Sequence, residues 1–132
     1  MKIFPTNIIK ELDQYTIQNE PINSADLVER AARVFVHEFC RRYSKQTQLI
    51  VFAGQGNNGA DALAIARLLL DEGYRLKTYL FNPTNHLSYD CELNKQRLLA
   101  MANIDFTEVV DDFIPPVLTS RDVLIDGLFG SG

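Results

Sequence analysis

The sequence predicts an α/β fold built around a mainly parallel sheet, and three observations carry that expectation. Short apolar runs with the composition of buried strands alternate with longer segments of helical period, the pattern of parallel strands joined by right-handed crossovers. One of these runs, Gln48 to Ala53, leads through a glycine-bearing loop directly into an Ala- and Leu-rich helical segment. The 132 residues, 46% hydrophobic and 23% charged, have the length and mixture of one ordinary globular domain, which disfavours disordered, collagenous and repeat-array readings.

In chain order, Thr6 is placed to cap a first helix running to about Asn19, with Ile9, Leu12 and Ile17 on one stripe; the Glu20-Pro21 step stops it. Ser24 then caps a longer amphipathic helix through about Tyr43. Val28, Ala31, Ala32, Phe35, Phe39 and Tyr43 recur there at three- and four-residue spacing, while Glu29, Arg33, Glu38 and Arg41 mostly fall elsewhere. From Thr47 the period changes: Gln48 to Ala53 is a short continuous apolar run, as in a strand buried on both faces. Asp61 to Glu72 reads as a buried crossover helix ending at Gly73, a natural C′ residue. Tyr74 to Phe81 reads as a strand, Ser88 to Ala102 as a helix, and Ile104 to Val110 and Asp122 to Leu128 as strands. Pro115-Pro116 marks a connection through which no regular helix continues.

The formal net charge of −4 supplies no electrostatic footprint for nucleic acid or an anionic membrane, so any phosphate must be held locally. Lys10, Glu11 and Asp13 interrupt the place where a secretory signal needs an apolar stretch. The longest uncharged apolar run, Leu49 to Ala53, is far below the roughly 20 residues of a membrane helix. A soluble, cytoplasmic protein with no nucleic-acid or membrane partner is expected. Cys40 and Cys91 lie far apart on helical segments and read as reduced thiols, and His37 and His86 read as solvated histidines.

The segment Gly54-Gln55-Gly56-Asn57-Asn58-Gly59-Ala60-Asp61 contains G-x-G-x-x-G between a strand and a helix, the context in which backbone N–H groups approach a phosphate. A dinucleotide fingerprint also wants an acidic residue at the end of the next strand, and that stretch reads Tyr79-Leu80-Phe81-Asn82. No Gly-Lys-Ser/Thr follows, which disfavours a P-loop. The adjacent amides of Asn57 and Asn58 offer oxygens to a hard cation and N–H groups to a ligand, and Asp61 in a first helical turn can orient a substrate hydroxyl. Turn asparagines with a helix-capping aspartate remain the plainer alternative. A second patch, Ile125-Asp126-Gly127-Leu128-Phe129-Gly130-Ser131-Gly132, brings Asp126 to the carboxyl end of a strand and follows it with a Gly-Ser-Gly segment suited to an anion nest. In a parallel sheet both patches would face the crevice at a topological switch point.

Together these residues resemble a known family. GNNGAD at Gly56 to Asp61 is similar to the Gly-Asn-Asn-Gly-Gly-Asp signature of the YjeF N-terminal family, the NAD(P)H-hydrate epimerases, and IDGLFGSG at Ile125 to Gly132 resembles its Asp-Ala-Leu-Phe-Gly motif. Val28-Glu29-Arg30-Ala31 resembles the Met/Val-Glu-Arg-Ala of the second of its two N-terminal helices. The resemblance implies a Rossmann-like three-layer αβα sandwich, preceded by those two helices, that interconverts the R and S epimers of NADHX and NADPHX. The damaged cofactor is then the substrate. By the same resemblance Asn57, Asn58, Gly59, Ala60 and Asp61 line the substrate pocket, Asn58 and Asp126 give oxygens to a potassium ion, and Gly130, Ser131 and Gly132 begin the segment that holds the phosphates. A homodimer is implied, and a fused NAD(P)H-hydrate dehydratase domain is frequent in the family.

Ala60 and Ala62 depart from the family pattern, each standing where glycine is usual, and would matter if either site needed φ > 0. The family's later Asp-x-Pro-Ser-Gly, which resembles the catalytic aspartate, has no match here. Residues 1–132 are therefore read as the amino-terminal portion of a single such domain, truncated before its catalytic group, which is expected beyond Gly132; the chain alone should show little turnover. The rival reading is a non-catalytic nucleotide-binding or dimerisation scaffold of the same fold. A conventional NAD-dependent oxidoreductase is weakened by the missing acid after Phe81.

Overall fold

The computed structural model describes residues 2–6 and 23–128. Its elements are β1 (Lys2–Pro5), α1 (Ser24–Arg42), β2 (Gln48–Ala53), α2 (Asn57–Asp71), β3 (Arg75–Phe81), α3 (Tyr89–Leu99), β4 (Asp105–Val109) and β5 (Val123–Gly127). The five strands form one sheet in the order β1-β5-β2-β3-β4, and every neighbouring pair is parallel. From β2 the chain steps outward through β3 to β4 and then returns to lay β5 on the other side of β2. The switch point therefore lies between β2 and β5, where such sheets bind ligands.

The described helices share one face of the sheet. Leu49, Val51 and Ala53 of β2, Leu80 of β3, and Val123 and Ile125 of β5 project into the core under α2, which α1 and α3 flank. α2 is buried along nearly its whole length, from Asn58 to Leu69, as a helix packed against a sheet and two neighbours must be. On the opposite face Phe52, Tyr79 and Phe81 form an aromatic patch roofed by Phe113 at centroid distances of 6.0, 5.5 and 4.9 Å. Phe113 belongs to the irregular connection that contains Pro115-Pro116, as expected.

The structure adds an amino-terminal strand that the sequence reading lacked. Lys2–Pro5 is an edge strand paired with β5 in the register Phe4↔Ile125. Four residues are too few to show a period of two, and an edge position tolerates Pro5 because no ladder bond is needed on its free side. The tertiary partners decide it: the Phe4 ring sits edge-on to Phe35, Phe39 and Tyr43 at 6.3, 6.0 and 5.8 Å. Thr6 lies at a turn after β1. The rest of the helix expected to Asn19 lies outside the described residues.

Smaller corrections have local causes. The cap of α1 is Asn23, whose carboxamide oxygen accepts from the Asp26 N–H at 2.8 Å, and Ser24 instead donates to Asp90 of α3 at 3.2 Å. Val36 joins Val28, Ala31, Ala32 and Phe39 in the core, while Phe35 and Tyr43 are half-buried against it. α2 starts at Asn57, four residues before the expected Asp61, and its first i→i−4 bond runs from Ala60 N to Gly56 O at 3.1 Å. Gly73 takes the C′ position with φ 100°. α3 ends at Leu99 rather than Ala102. Both cysteines are free thiols, Cys40 half-buried and Cys91 buried, and burial pushes the Cys91 thiol up to about 12.

Candidate functional site

The two glycine-bearing patches converge because β2 and β5 are neighbours. Ala53 pairs with Gly127, and just beyond, Gly54 N donates to Gly127 O at 3.0 Å. α2 then turns back over this junction so closely that side chains are excluded. A Cβ on Gly59 would lie 1.8 Å from the Gly54 carbonyl oxygen, and one on Gly127 would lie 2.5 Å from the Ala62 Cβ and 2.7 Å from the Asn58 carbonyl oxygen. These contacts bring the start of α2 and the end of β5 within reach of a common ligand.

Asn57, Asn58, Gly59 and Ala60 form the first turn of α2 rather than a loop, and Asp61 falls in the second turn, so Asp61 is not a first-turn carboxylate or a helix cap. The cap position is Gly56, which carries no side-chain cap bond and, among the described residues outside its own helix and chain neighbours, has no heavy atom within 4 Å of the place a Cβ would occupy. A helix N-terminus carries N–H groups without intrahelical partners, a feature suited to an anion. Asn58 and Asp61 are 5% and 3% exposed, so both hold polar groups inside the protein at the head of this helix.

Asp126 is the penultimate residue of β5 and half-buried; its Oδ1 accepts the Leu128 N–H at 3.0 Å, leaving Oδ2 outside that turn bond. Thr6, absent from the sequence-derived site, links the two patches. Its N–H donates to the Asp126 carbonyl at 3.2 Å and its hydroxyl to the Asn58 carbonyl at 3.4 Å, and it is 1% exposed. Nothing local in the sequence marks Thr6, because its position depends on β1 pairing with β5. Gly130, Ser131 and Gly132 lie outside the described residues. Among the described residues no three His, Cys, Asp or Glu side chains gather as a metal cluster.

Ala60 and Ala62 are both fully buried in regular helix. Among the described non-glycine residues only Asn85 and Asn103 have positive φ, so neither alanine occupies a glycine-demanding conformation. The Ala62 methyl fills the space against Gly127.

At the end of β3, where a dinucleotide fingerprint wants an acid, stands Asn82, which is engaged within the protein. The Asn82 Oδ1 accepts the Gln55 carboxamide at 2.7 Å and the His86 N–H at 3.0 Å, while its Nδ2 donates to Glu108 at 2.9 Å. The Gln55 carbonyl accepts the N–H of Ser88, the cap of α3, at 2.9 Å. Gln55 and Asn82, both outside the predicted site, thereby tie the glycine turn to the loop entering α3. Glu108 also meets Lys95 at 2.7 Å; that bond and the Asn82 amide hold its carboxyl below the usual glutamate range, and the same contact raises Lys95.

Comparison with known proteins agrees with this geometry. Residues 24–132 match the family model described as YjeF-related protein N-terminus. The chain is 31% identical over 139 residues to an NAD(P)H-hydrate epimerase of Anaerococcus prevotii, covering 100% of this chain and 61% of that protein. It is 34% identical over 121 residues to an NAD(P)H-hydrate epimerase of Limosilactobacillus fermentum, covering 91% and 55%. A bifunctional NAD(P)H-hydrate repair enzyme of Coxiella burnetii is 26% identical over 137 residues, covering 98% of this chain and 25% of that protein. Thus the chain spans only 61% and 55% of the first two relatives. The crystal structure of yeast ynu0 shares the fold, with a TM-score of 0.57 at 24% identity over 82% of this chain and 47% of that one. Among the described residues no helix is long and apolar enough to cross a membrane.

Proposed function

The chain belongs to the YjeF-related protein N-terminus family, and from that premise we propose that residues 1–132 form the amino-terminal, ligand-holding part of an NAD(P)H-hydrate epimerase acting on NADHX and NADPHX. The observation that carries this reading is the closure of the two motif patches at the β2/β5 switch point, where the start of α2 meets the end of β5. The α2 N–H groups would take a phosphate or the hydrate's oxygens. Asn57 and Asp61 would orient the added hydroxyl, and Gly130, Ser131 and Gly132 would extend the anion site. In a longer chain, fusion to a dehydratase domain follows from the same reading, as do a homodimer and a cytoplasmic location.

A potassium ion fits the donor set. The backbone carbonyls of Asn58 and Asp126 are both tied to Thr6, and the two side chains carry an amide and a carboxylate oxygen, the kind of ligand a hard cation takes. Asn58 and Asp126 would hold it, and its charge would steady the negative groups of the substrate. Epimerisation also needs an acid–base group that acts at the carbon bearing the hydroxyl. In this reading none of the residues named here performs that step, so the chain binds and orients and has little turnover.

Titration of NADHX in potassium chloride against tetramethylammonium chloride at equal ionic strength tests the reading. Saturable binding that strengthens with potassium and loses this dependence in Asp126→Asn is expected. Absence of NADHX binding with either cation refutes it and favours a scaffold.

A further inference from the structure

Where α1, α2 and α3 come together, three guanidinium groups gather on one carboxylate. Glu29 of α1 holds Arg33 through Oε2 at 2.9 Å and Arg67 of α2 through Oε1, and Arg97 of α3 stands 3.9 Å from the same Oε1. Asp26, Glu29, Arg67 and Arg97 line a cavity of about 240 Å³. Arg67 lies about 15 Å along α2 from Asn57, at 1.5 Å per residue, so this cavity is separate from the candidate site at the strand ends.

The cluster is short of acceptors. A guanidinium carries five N–H donors, whereas a carboxylate offers about four acceptor positions, so Glu29 cannot satisfy its three neighbours. Arg97 is beyond hydrogen-bond range of Glu29. The Nε of Arg67 is buried and has no hydrogen-bond acceptor among the described residues. Asp26 is turned to its own helix start, where the Asn23 amide donates to it at 3.0 Å. The cavity is lined by two guanidinium groups, Arg67 and Arg97, and two carboxylates, and of the carboxylates Glu29 is also shared with Arg33 outside the cavity. A planar guanidinium fork with spare donors matches a phosphate or carboxylate bidentately. The cavity is also smaller than the roughly 300–1,000 Å³ of sites for drug-sized ligands.

We propose that this cavity is a second binding site, for a phosphate-class oxyanion held by Arg67 and Arg97, in which Glu29 acts as the internal competitor. The site is independent of the epimerase reading. The oxyanion is either free phosphate or the phosphate group of a nucleotide.

Calorimetric titration of the purified chain at low, constant ionic strength, with inorganic phosphate in one arm and adenosine monophosphate in the other, tests it. At least one arm is expected to saturate. Arg97→Gln should weaken that isotherm about tenfold, the loss of a charge-assisted hydrogen bond, while Arg41→Gln, which removes the same charge from an exposed pair with Glu38, leaves it unchanged. Glu29→Gln should strengthen binding several-fold by releasing Arg67, the opposite of what a purely structural ion pair would show. The Arg97→Gln comparison decides the matter even if Glu29→Gln does not fold. Failure of both arms to saturate, an isotherm indifferent to Arg97→Gln, or an unchanged affinity in folded Glu29→Gln overturns the assignment.

Discussion

Gly127→Ala adds one methyl at the tightest point between β5 and α2. The new Cβ would lie 2.5 Å from the Ala62 Cβ and 2.7 Å from the Asn58 carbonyl oxygen, against the roughly 3.5–4.0 Å at which carbon atoms rest in contact. Overpacking of this kind costs about 1–3 kcal/mol, and relief of glycine's chain entropy returns about 0.5–1 kcal/mol. A net loss of about 1–2 kcal/mol is expected. Ala62→Gly alone costs about 1 kcal/mol of helix propensity and about 0.8 kcal/mol for the lost buried methyl. The double variant moves the methyl across the contact. It should be at least about 1 kcal/mol more stable than the sum of the single losses, short of full rescue because the Asn58 carbonyl still crowds the new Cβ. Urea unfolding of the four proteins with a common m-value measures the cycle. Additivity within about 0.5 kcal/mol would show that Ala62 does not occupy the space that Gly127 leaves, and would refute the reasoning.

Three further predictions concern the same site and its supports. Gly59→Ala, whose Cβ would meet the Gly54 carbonyl at 1.8 Å, should cost about 3 kcal/mol or more, whereas Gly56→Ala, whose Cβ would meet nothing within 4 Å among the described residues, should cost about 1 kcal/mol or less; chemical denaturation distinguishes them. Because Lys95 and Asn82 lower the Glu108 pKa in the folded state, that carboxylate's stabilisation is fully present above the unfolded value near 4.3 and is lost as pH falls through the folded value. Thermal melts should therefore show a steeper acid-side loss in the parent than in Glu108→Gln, and identical acid slopes would remove the Lys95–Glu108 pair from that account. With an Ellman-type reagent at pH 8, the native chain should react at Cys40 while Cys91, held up to about 12 by burial, reacts only on unfolding; rapid reaction of two thiols in the native state contradicts this packing.

Much of the fold is legible in local pattern. β2 runs from Gln48 to Ala53 as read, because a strand covered on both faces must be continuously apolar. The glycine at 73 ends α2 because only a left-handed C′ residue lets the chain turn there cheaply, and Ser88 caps α3 by accepting the Cys91 N–H at 3.2 Å. The start of α2 was less legible: asparagines and glycines favour turns in isolation, yet Gly59 is what lets the helix begin early, by admitting the Gly54 carbonyl.

The sequence by itself determined the class of fold, the alternation of strands and helices, and the two patches that carry Asn57, Asn58, Asp61 and Asp126, since periodicity, caps and motif spacing are properties of neighbouring residues. Only the tertiary structure decided which distant residues join them. Lys2–Pro5 became a strand through Phe4 and the open edge of β5, and Thr6 was thereby carried to the Asn58 and Asp126 carbonyls. Gln55 and Asn82 closed the far side through hydrogen bonds between residues 27 positions apart. Ala62 and Gly127 lie far apart in the sequence, yet the Ala62 methyl stands where a side chain on Gly127 would have to go, because close packing couples side chains by distance in space and not by distance along the chain.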